Sequence, residues 1–126
     1  MTNGFGDLAK AQYISLTTFK KDGTPRATPV WFAQDGEKLV VWSETNAWKV
    51  KRARRNPDVL VQKCDMRGKT TGEVAKGSAE VLDEQASERV RQLIMKKYGI
   101  IGLLTVKFST LRRGKNGTIG IAIAPA

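Results

Sequence analysis

Hydrophobic residues along this chain change period several times, and each change marks an element. Tyr13 to Phe19 (YISLTTF) alternates, with Ile14, Leu16 and Thr18 on one face, and is rich in β-branched and aromatic residues. It predicts a strand. Lys20-Lys21-Asp22-Gly23 is a hairpin turn signalled by Asp-Gly. Pro25 to Ala33 predicts the next strand, its Pro25 and Pro29 suiting an edge, a bulge or a bend. Asp35-Gly36 then turns the chain into a third strand, Lys38 to Ser43 (KLVVWS). Three strands at this spacing predict a meander that curls into a sandwich or barrel.

A very basic helix follows, beginning near Asn46, with Val50 and Ala53 as its core side and Asn56-Pro57 as its stop. Asp58 to Cys64 and Glu73 to Leu82 predict two further strands, the second interrupted by Gly77. Asp83 is placed to cap a helix over Glu84 to Tyr98, with Ala86, Val90, Leu93 and Ile94 at helical spacing and Gly99 as its terminator. In Ile100 to Arg113, Ile101, Leu104, Phe108 and Leu111 mark a helical stripe, which outweighs a competing alternation. Thr118 to Ala124 (TIGIAIA) predicts a last strand, and the segment up to Gln12 a short helix with Phe5, Leu8 and Ala9 as its apolar side. The order is β-β-β-α-β-β-α-α-β: a mainly β (α+β) antiparallel barrel of about six strands with two or three inserted helices. With no repeat or linker, residues 1–126 read as one domain.

Composition removes many chemistries. The chain has no histidine, which excludes Ser-His-Asp and Cys-His catalysis and His-ligated metals. One cysteine, Cys64, excludes an internal disulfide and thiolate clusters, and fits a reducing cytoplasm. No apolar run approaches the roughly 20 residues of a membrane span, and MTNGFGDLAKAQ lacks the features of a signal peptide. A net charge of +10 favours a polyanionic partner.

That charge gathers where a strand ends in Trp42-Ser43 and a helix begins. Helix starts favour anions because their first amides lack partners and the dipole is positive there. Ser43, Thr45 and Asn46 are placed to cap those amides or to donate to a phosphate. Lys49 and Arg52, three apart on one face, are expected to reach a single phosphate, with Lys51, Arg54 and Arg55 around them. This junction is read as a phosphate cradle; the alternative is a solvated charged face. No carboxylate pair suggests acid–base catalysis.

The marks G-T-P-R-A-T-P-V-W-F and K-x-x-R-x-R-x-N-P, in order between Tyr13 and Val61, resemble the split β-barrel flavin-binding family related to pyridoxamine 5′-phosphate oxidase. More narrowly they resemble its actinobacterial branch of small coenzyme F-420-dependent (deazaflavin) proteins. The resemblance implies an FMN-binding-like split barrel and a homodimer with cofactor grooves at the interface. It implies an oxidoreductase that passes hydride from F-420, or alternatively FMN, to a small-molecule substrate. It places the cofactor phosphate at Lys49, assisted by Ser43 and Thr45, and the ring along Thr28, Pro29, Val30 and Trp31. Further cofactor contacts are expected from Lys51, Arg52 and Arg54. The chain lacks the basic and histidine residues with which true pyridoxamine phosphate oxidases hold substrate near the C-terminus, so that activity is not expected. Two rivals remain: a flavin carrier without turnover, and a nucleic-acid-binding barrel. Against the latter, the cations at Lys49 to Arg55 and Arg112-Arg113-Lys115 are not interleaved with aromatics along a strand.

Overall fold

A computed structural model describes Phe5, Leu8, residues 10–113 and residues 117–126, with the side chains of all but 109–113. The strands are β1 (Tyr13–Phe19), β2 (Pro25–Val30), β3 (Phe32–Asp35), β4 (Lys38–Glu44), β5 (Asp58–Cys64), β6 (Ala75–Val81) and β7 (Thr118–Pro125); the helices are α1 (Trp48–Arg55) and α2 (Glu84–Arg113). All the strand pairs are antiparallel, in the order β2-β1-β5-β6-β7-β4-β3. The fold is therefore the expected split barrel, with seven strands instead of about six.

The extra strand arises because Pro25 to Ala33 is not one strand. Its first half pairs with β1, Val30 opposite Ile14, and its second half pairs with β4, Phe32 opposite Val41. Trp31 is the residue between them. The two outer strands of the sheet order are thus joined through one residue, which wraps the sheet round on itself. Proline on β2 fits this edge position, since proline cannot supply a ladder N–H.

Alternation fills the interior as expected. Ile14, Leu16, Val30, Phe32, Leu39, Val41, Val59, Val61, Ile121 and Ile123 form one buried cluster, joined by Val50 and Ala53 of α1 and by Phe5. Each large side chain in such a core contributes about 1.5–3 kcal/mol of transfer free energy. A second cluster beneath α2 unites Ala33, Val40, Ala122, Val90, Ile94 and Val106. Both Asp-Gly turns form, with Gly23 at φ 88° and Gly36 at φ 63°. Asp83 caps α2 through its side chain on the Ala86 amide at 2.8 Å.

Two expectations need correction. Gly77 does not interrupt β6: it pairs opposite Val59 and Pro125, and glycine is required because an added Cβ would lie 2.5 Å from Ile123 Cγ2. Gly99 separates two helical runs, its φ of 64° breaking the ladder, and the second run is helix as the apolar stripe suggested. Yet that stripe is not the buried face. Ile101, Leu104 and Phe108 are 67%, 63% and 63% exposed, while Val106 and Gly102 turn inward. The predicted N-terminal helix and the cations Arg112, Arg113 and Lys115 lie largely outside the described residues and side chains; Phe5 and Leu8 pack on the core.

Candidate functional site

The break at Trp31 opens a cavity of about 410 Å³ on the barrel flank. The end of β2 and the junction supply Pro29, Val30 and Trp31; the end of β4 supplies Trp42, Ser43 and Glu44; α1 supplies Lys49. Thr105 of α2 and Thr118 of β7 complete the lining. Five residues singled out from the sequence therefore meet in one place: Pro29, Val30, Trp31, Ser43 and Lys49. Thr28, Thr45, Lys51, Arg52 and Arg54 do not line this cavity, and Arg52 faces a different one. Thr28 and Thr45 lie outside α1, and Lys51 and Arg54 leave the helix on other sides than Lys49. Arg52, three residues on and expected to share the face of Lys49, is instead held by the Thr18 hydroxyl at 2.7 Å.

The residue at the N-cap is not one of the three expected from the sequence. Helix α1 starts at Trp48 with Ala47 as its cap, and Ala47 makes no side-chain cap hydrogen bond. Ser43 is buried, and its hydroxyl donates to the Glu44 carbonyl at 3.2 Å. The Ala47 amide also donates to that carbonyl, at 3.1 Å. Ser43 thus helps to shape the turn before α1.

Lys49 is the cation of the cavity. It is half-buried, and that burial lowers the pKa of its amine; Glu44 opposes the effect and Arg52 adds to it. A desolvated ammonium beside another cation gains from an anion placed against it.

The wall at Trp31 is held from behind by a residue that the sequence reading did not select. Tyr98 stacks on Trp31, with centroids 4.3 Å apart and planes at 10°. Its hydroxyl accepts from the Phe32 amide at 3.2 Å, donates to the Gln12 carbonyl at 2.7 Å, and lies 3.1 Å from the Phe32 carbonyl. Burial pushes the phenol up to about 12. Beside it, Lys97 donates to the Ala11 carbonyl at 2.8 Å and sits 3.5 Å above the Phe32 ring, and burial pushes its amine down to about 8. The KKYG segment was visible in the sequence, but nothing local to it points at residue 31.

Thr118 is fixed in the same manner. Arg91, 3% exposed, donates through Nε to the Thr118 hydroxyl at 3.0 Å and through a terminal nitrogen to its carbonyl at 3.0 Å. Glu84 and Glu88 neutralise the guanidinium at 3.0 and 2.9 Å. Burial acts to lower its pKa, and the hydrogen bonds to the two glutamates more than offset that.

The donor set suits a planar multi-ring cofactor carrying a phosphate. Trp31 and Trp42 present aromatic surface, Lys49 presents a cation, and the buried Trp42 indole N–H has no acceptor among the described residues. An orphaned buried donor is costly, and a ring carbonyl is the kind of group that would relieve it. No group of three or more potential metal ligands occurs among the described residues. No helix there is long and apolar enough to cross a membrane. Cys64 is buried, and burial raises its thiol pKa, as in an inert packing residue.

Solved structures with this fold include a Listeria innocua protein provisionally named pyridoxamine 5′-phosphate oxidase. It is 25% identical, with a TM-score of 0.65 over 94% of this chain and 86% of that one. An F420 reductase is 21% identical, with a TM-score of 0.57 over 95% and 91% of the two chains. A FAD-binding protein of Mesorhizobium loti is 19% identical, with a TM-score of 0.58 over 94% and 82%. No curated protein matches the chain. The family described as pyridoxamine 5′-phosphate oxidase matches residues 6–119, across both walls of the cavity and every strand up to the start of β7, and the chain belongs to that family.

Proposed function

We propose that this protein is an oxidoreductase of the deazaflavin branch of its family, binding coenzyme F-420 in the Trp31–Lys49 cavity. It passes hydride to a small-molecule substrate. The observation that carries the reading is the meeting of a half-buried Lys49 with two indole rings at a break in the barrel wall. Lys49 would hold the phosphate, and the backbone of Pro29 to Trp31 would border the ring. When bound, the cofactor supplies the hydride chemistry; the protein binds it, orients it and excludes water. A chain without histidine suits that division of labour.

A homodimer completes the proposal. Ile100, Ile101, Leu103, Leu104 and Phe108 are exposed on the same helical run that sends Thr105 into the cavity. A second copy seated there would bury apolar surface and close one side of the cavity. A cytoplasmic setting accords with the single thiol.

Fluorescence titration with F-420 and FMN tests the cofactor. Saturable F-420 binding that Lys49→Ala weakens at least about tenfold, with fold retained, is expected for loss of a charge-assisted phosphate contact. Preference for FMN would move the chemistry to flavin, and binding of neither would refute the reading.

A further inference from the structure

Gly99 divides α2 into two runs that are tied to the barrel very unequally. The first run carries Val90 and Ile94 into the core, at 1% and 0% exposure. Its polar side chains are bonded across to the sheet and the N-terminal segment. Ser87 accepts from the Gly120 amide at 2.9 Å, Arg91 holds Thr118, and Lys97 and Tyr98 hold Ala11, Gln12 and Phe32. Of residues 100–108, only Gly102 and Val106 are buried. Thr105 of this second run nevertheless lines the Trp31–Lys49 cavity.

The two runs meet at a pair of glycines with different tasks. Gly99 has φ 64° and ψ −138°, a backbone region that in practice only glycine enters. Nothing lies within 4 Å of a Cβ added there, so this glycine serves the backbone and not the packing. Gly102 serves the packing: an added Cβ would lie 2.8 Å from Tyr98 Cβ and 3.0 Å from the Ile94 carbonyl. The second run therefore folds back onto the last turn of the first through a bare glycine. Val106, 3% exposed, is its other attachment, in the cluster with Ala33, Val90 and Ile94. A segment with few buried contacts, beside one that is strongly tied, opens at a lower free energy than the whole fold.

We propose that residues 100–108 are a lid on the Trp31–Lys49 cavity, turning at Gly99 and latched by Gly102 and Val106, which opens to admit and release the ligand. Closing brings Thr105 to the cavity and shuts water out around a bound ligand. Gly99 absorbs the change, because glycine crosses between φ/ψ regions at little cost. The cavity wall stays with the barrel, since Tyr98, the residue before the hinge, is bonded to Phe32 and Gln12. The inference rests on the reading of that cavity as a ligand site, and not on which ligand fills it.

Two measurements on the full chain test the lid without cofactor: amide hydrogen exchange, and acrylamide quenching of Trp31 and Trp42 in a Trp48→Phe background. Amides of residues 103–108 should exchange at least about tenfold faster than those of residues 88–94. Gly102→Ala strains only the closed position. It should speed exchange of 103–108 about tenfold further, raise the quenching, and leave exchange of 88–94 unchanged. Val106→Ala removes the other latch without a clash and should act in the same direction, which covers a Gly102→Ala chain that fails to fold. Saturating F-420 should slow exchange of 103–108, and both variants should release F-420 about tenfold faster in stopped flow. If F-420 does not bind while 103–108 exchange on their own and the quenching rises, the cofactor reading falls and the lid stands. The lid is overturned if both runs exchange together through global unfolding, or if the variants change neither quenching nor release. It is also overturned if exchange of 103–108 follows protein dilution alone, which would make the run a subunit interface only.

Discussion

Tyr98 lies flat against Trp31, ring centroids 4.3 Å apart, and its hydroxyl bonds to the Phe32 amide of the next strand. A residue on α2 thereby holds the point at which one extended segment changes partner from β1 to β4. The strand break that opens the cavity is fixed by a contact spanning more than half the chain.

Removing that hydroxyl with Tyr98→Phe keeps the stack but leaves the Phe32 amide unpaired. A cost of about 1–3 kcal/mol in urea unfolding is expected, the range for an orphaned buried donor. Cofactor affinity should fall with it, since Trp31 loses its fixed support. Full stability with unchanged affinity would show that the wall holds itself.

Arg91 and Arg89 offer a contrast within one helix. The Arg91 side chain is 4% exposed and carries Glu84, Glu88 and both oxygens of Thr118. Because both glutamates remain partly exposed, Arg91→Ala should cost about 2–3 kcal/mol, below the full price of breaking a buried pair. Arg89 pairs with Asp35 at 2.9 Å but is 65% exposed, so solvent screens the pair and Arg89→Ala should cost far less than Arg91→Ala. Thermal unfolding of both variants checks the ranking.

Gly77→Ala would place a methyl 2.5 Å from Ile123 Cγ2 and 3.2 Å from the Ala124 carbonyl. Overpacking of this sort costs about 1–3 kcal/mol, read as a lower denaturation midpoint. Gly72→Ala should also destabilise, through its φ of 76°, although nothing lies within 4 Å of the added carbon. Ile123→Ala, which removes Cγ2, should therefore couple favourably with Gly77→Ala in a double-mutant cycle and not with Gly72→Ala.

Alkaline pH should reveal Lys97 and Tyr98 with opposite signs. The native Lys97 amine titrates at about 8 instead of 10.5, so above pH 8 the unfolded chain binds the extra proton and stability rises with pH. Native Tyr98 keeps its proton to about 12, against 10.0 when unfolded, so above pH 10 the native state binds more protons and stability falls. Urea midpoints between pH 7 and 11 should rise and then turn over. Lys97→Met should flatten the rise, and Tyr98→Phe should remove the fall.

Much of this was legible locally. The hairpins at Asp22-Gly23 and Asp35-Gly36, the stop at Asn56-Pro57, the Asp83 cap and the break at Gly99 all rest on residues whose own conformational preferences decide the outcome. Strand alternation also separates Val30 and Phe32, in the barrel core, from Trp31, which packs on the cluster beneath α2. The N-cap position fell to Ala47 and not to Ser43, Thr45 or Asn46, and the Ala47 amide closes a turn onto the Glu44 carbonyl ahead of the helix.

The sequence by itself determined which segments become strand or helix, because period and turn chemistry act over a few residues. It also determined that Lys49 and Trp31 would be candidates, through local motifs and a family likeness. Only the tertiary structure decided that Pro25 to Asp35 divides at Trp31, since pairing with β1 or β4 depends on the curvature of the whole sheet. Only the tertiary structure sent Lys49 and Arg52 into different cavities, because a side chain's direction off α1 acquires meaning only once the barrel stands beside it. Tyr98 and Arg91 were invisible as site residues for the same reason: each acts on a strand far away in the chain, through a distance that no local pattern encodes.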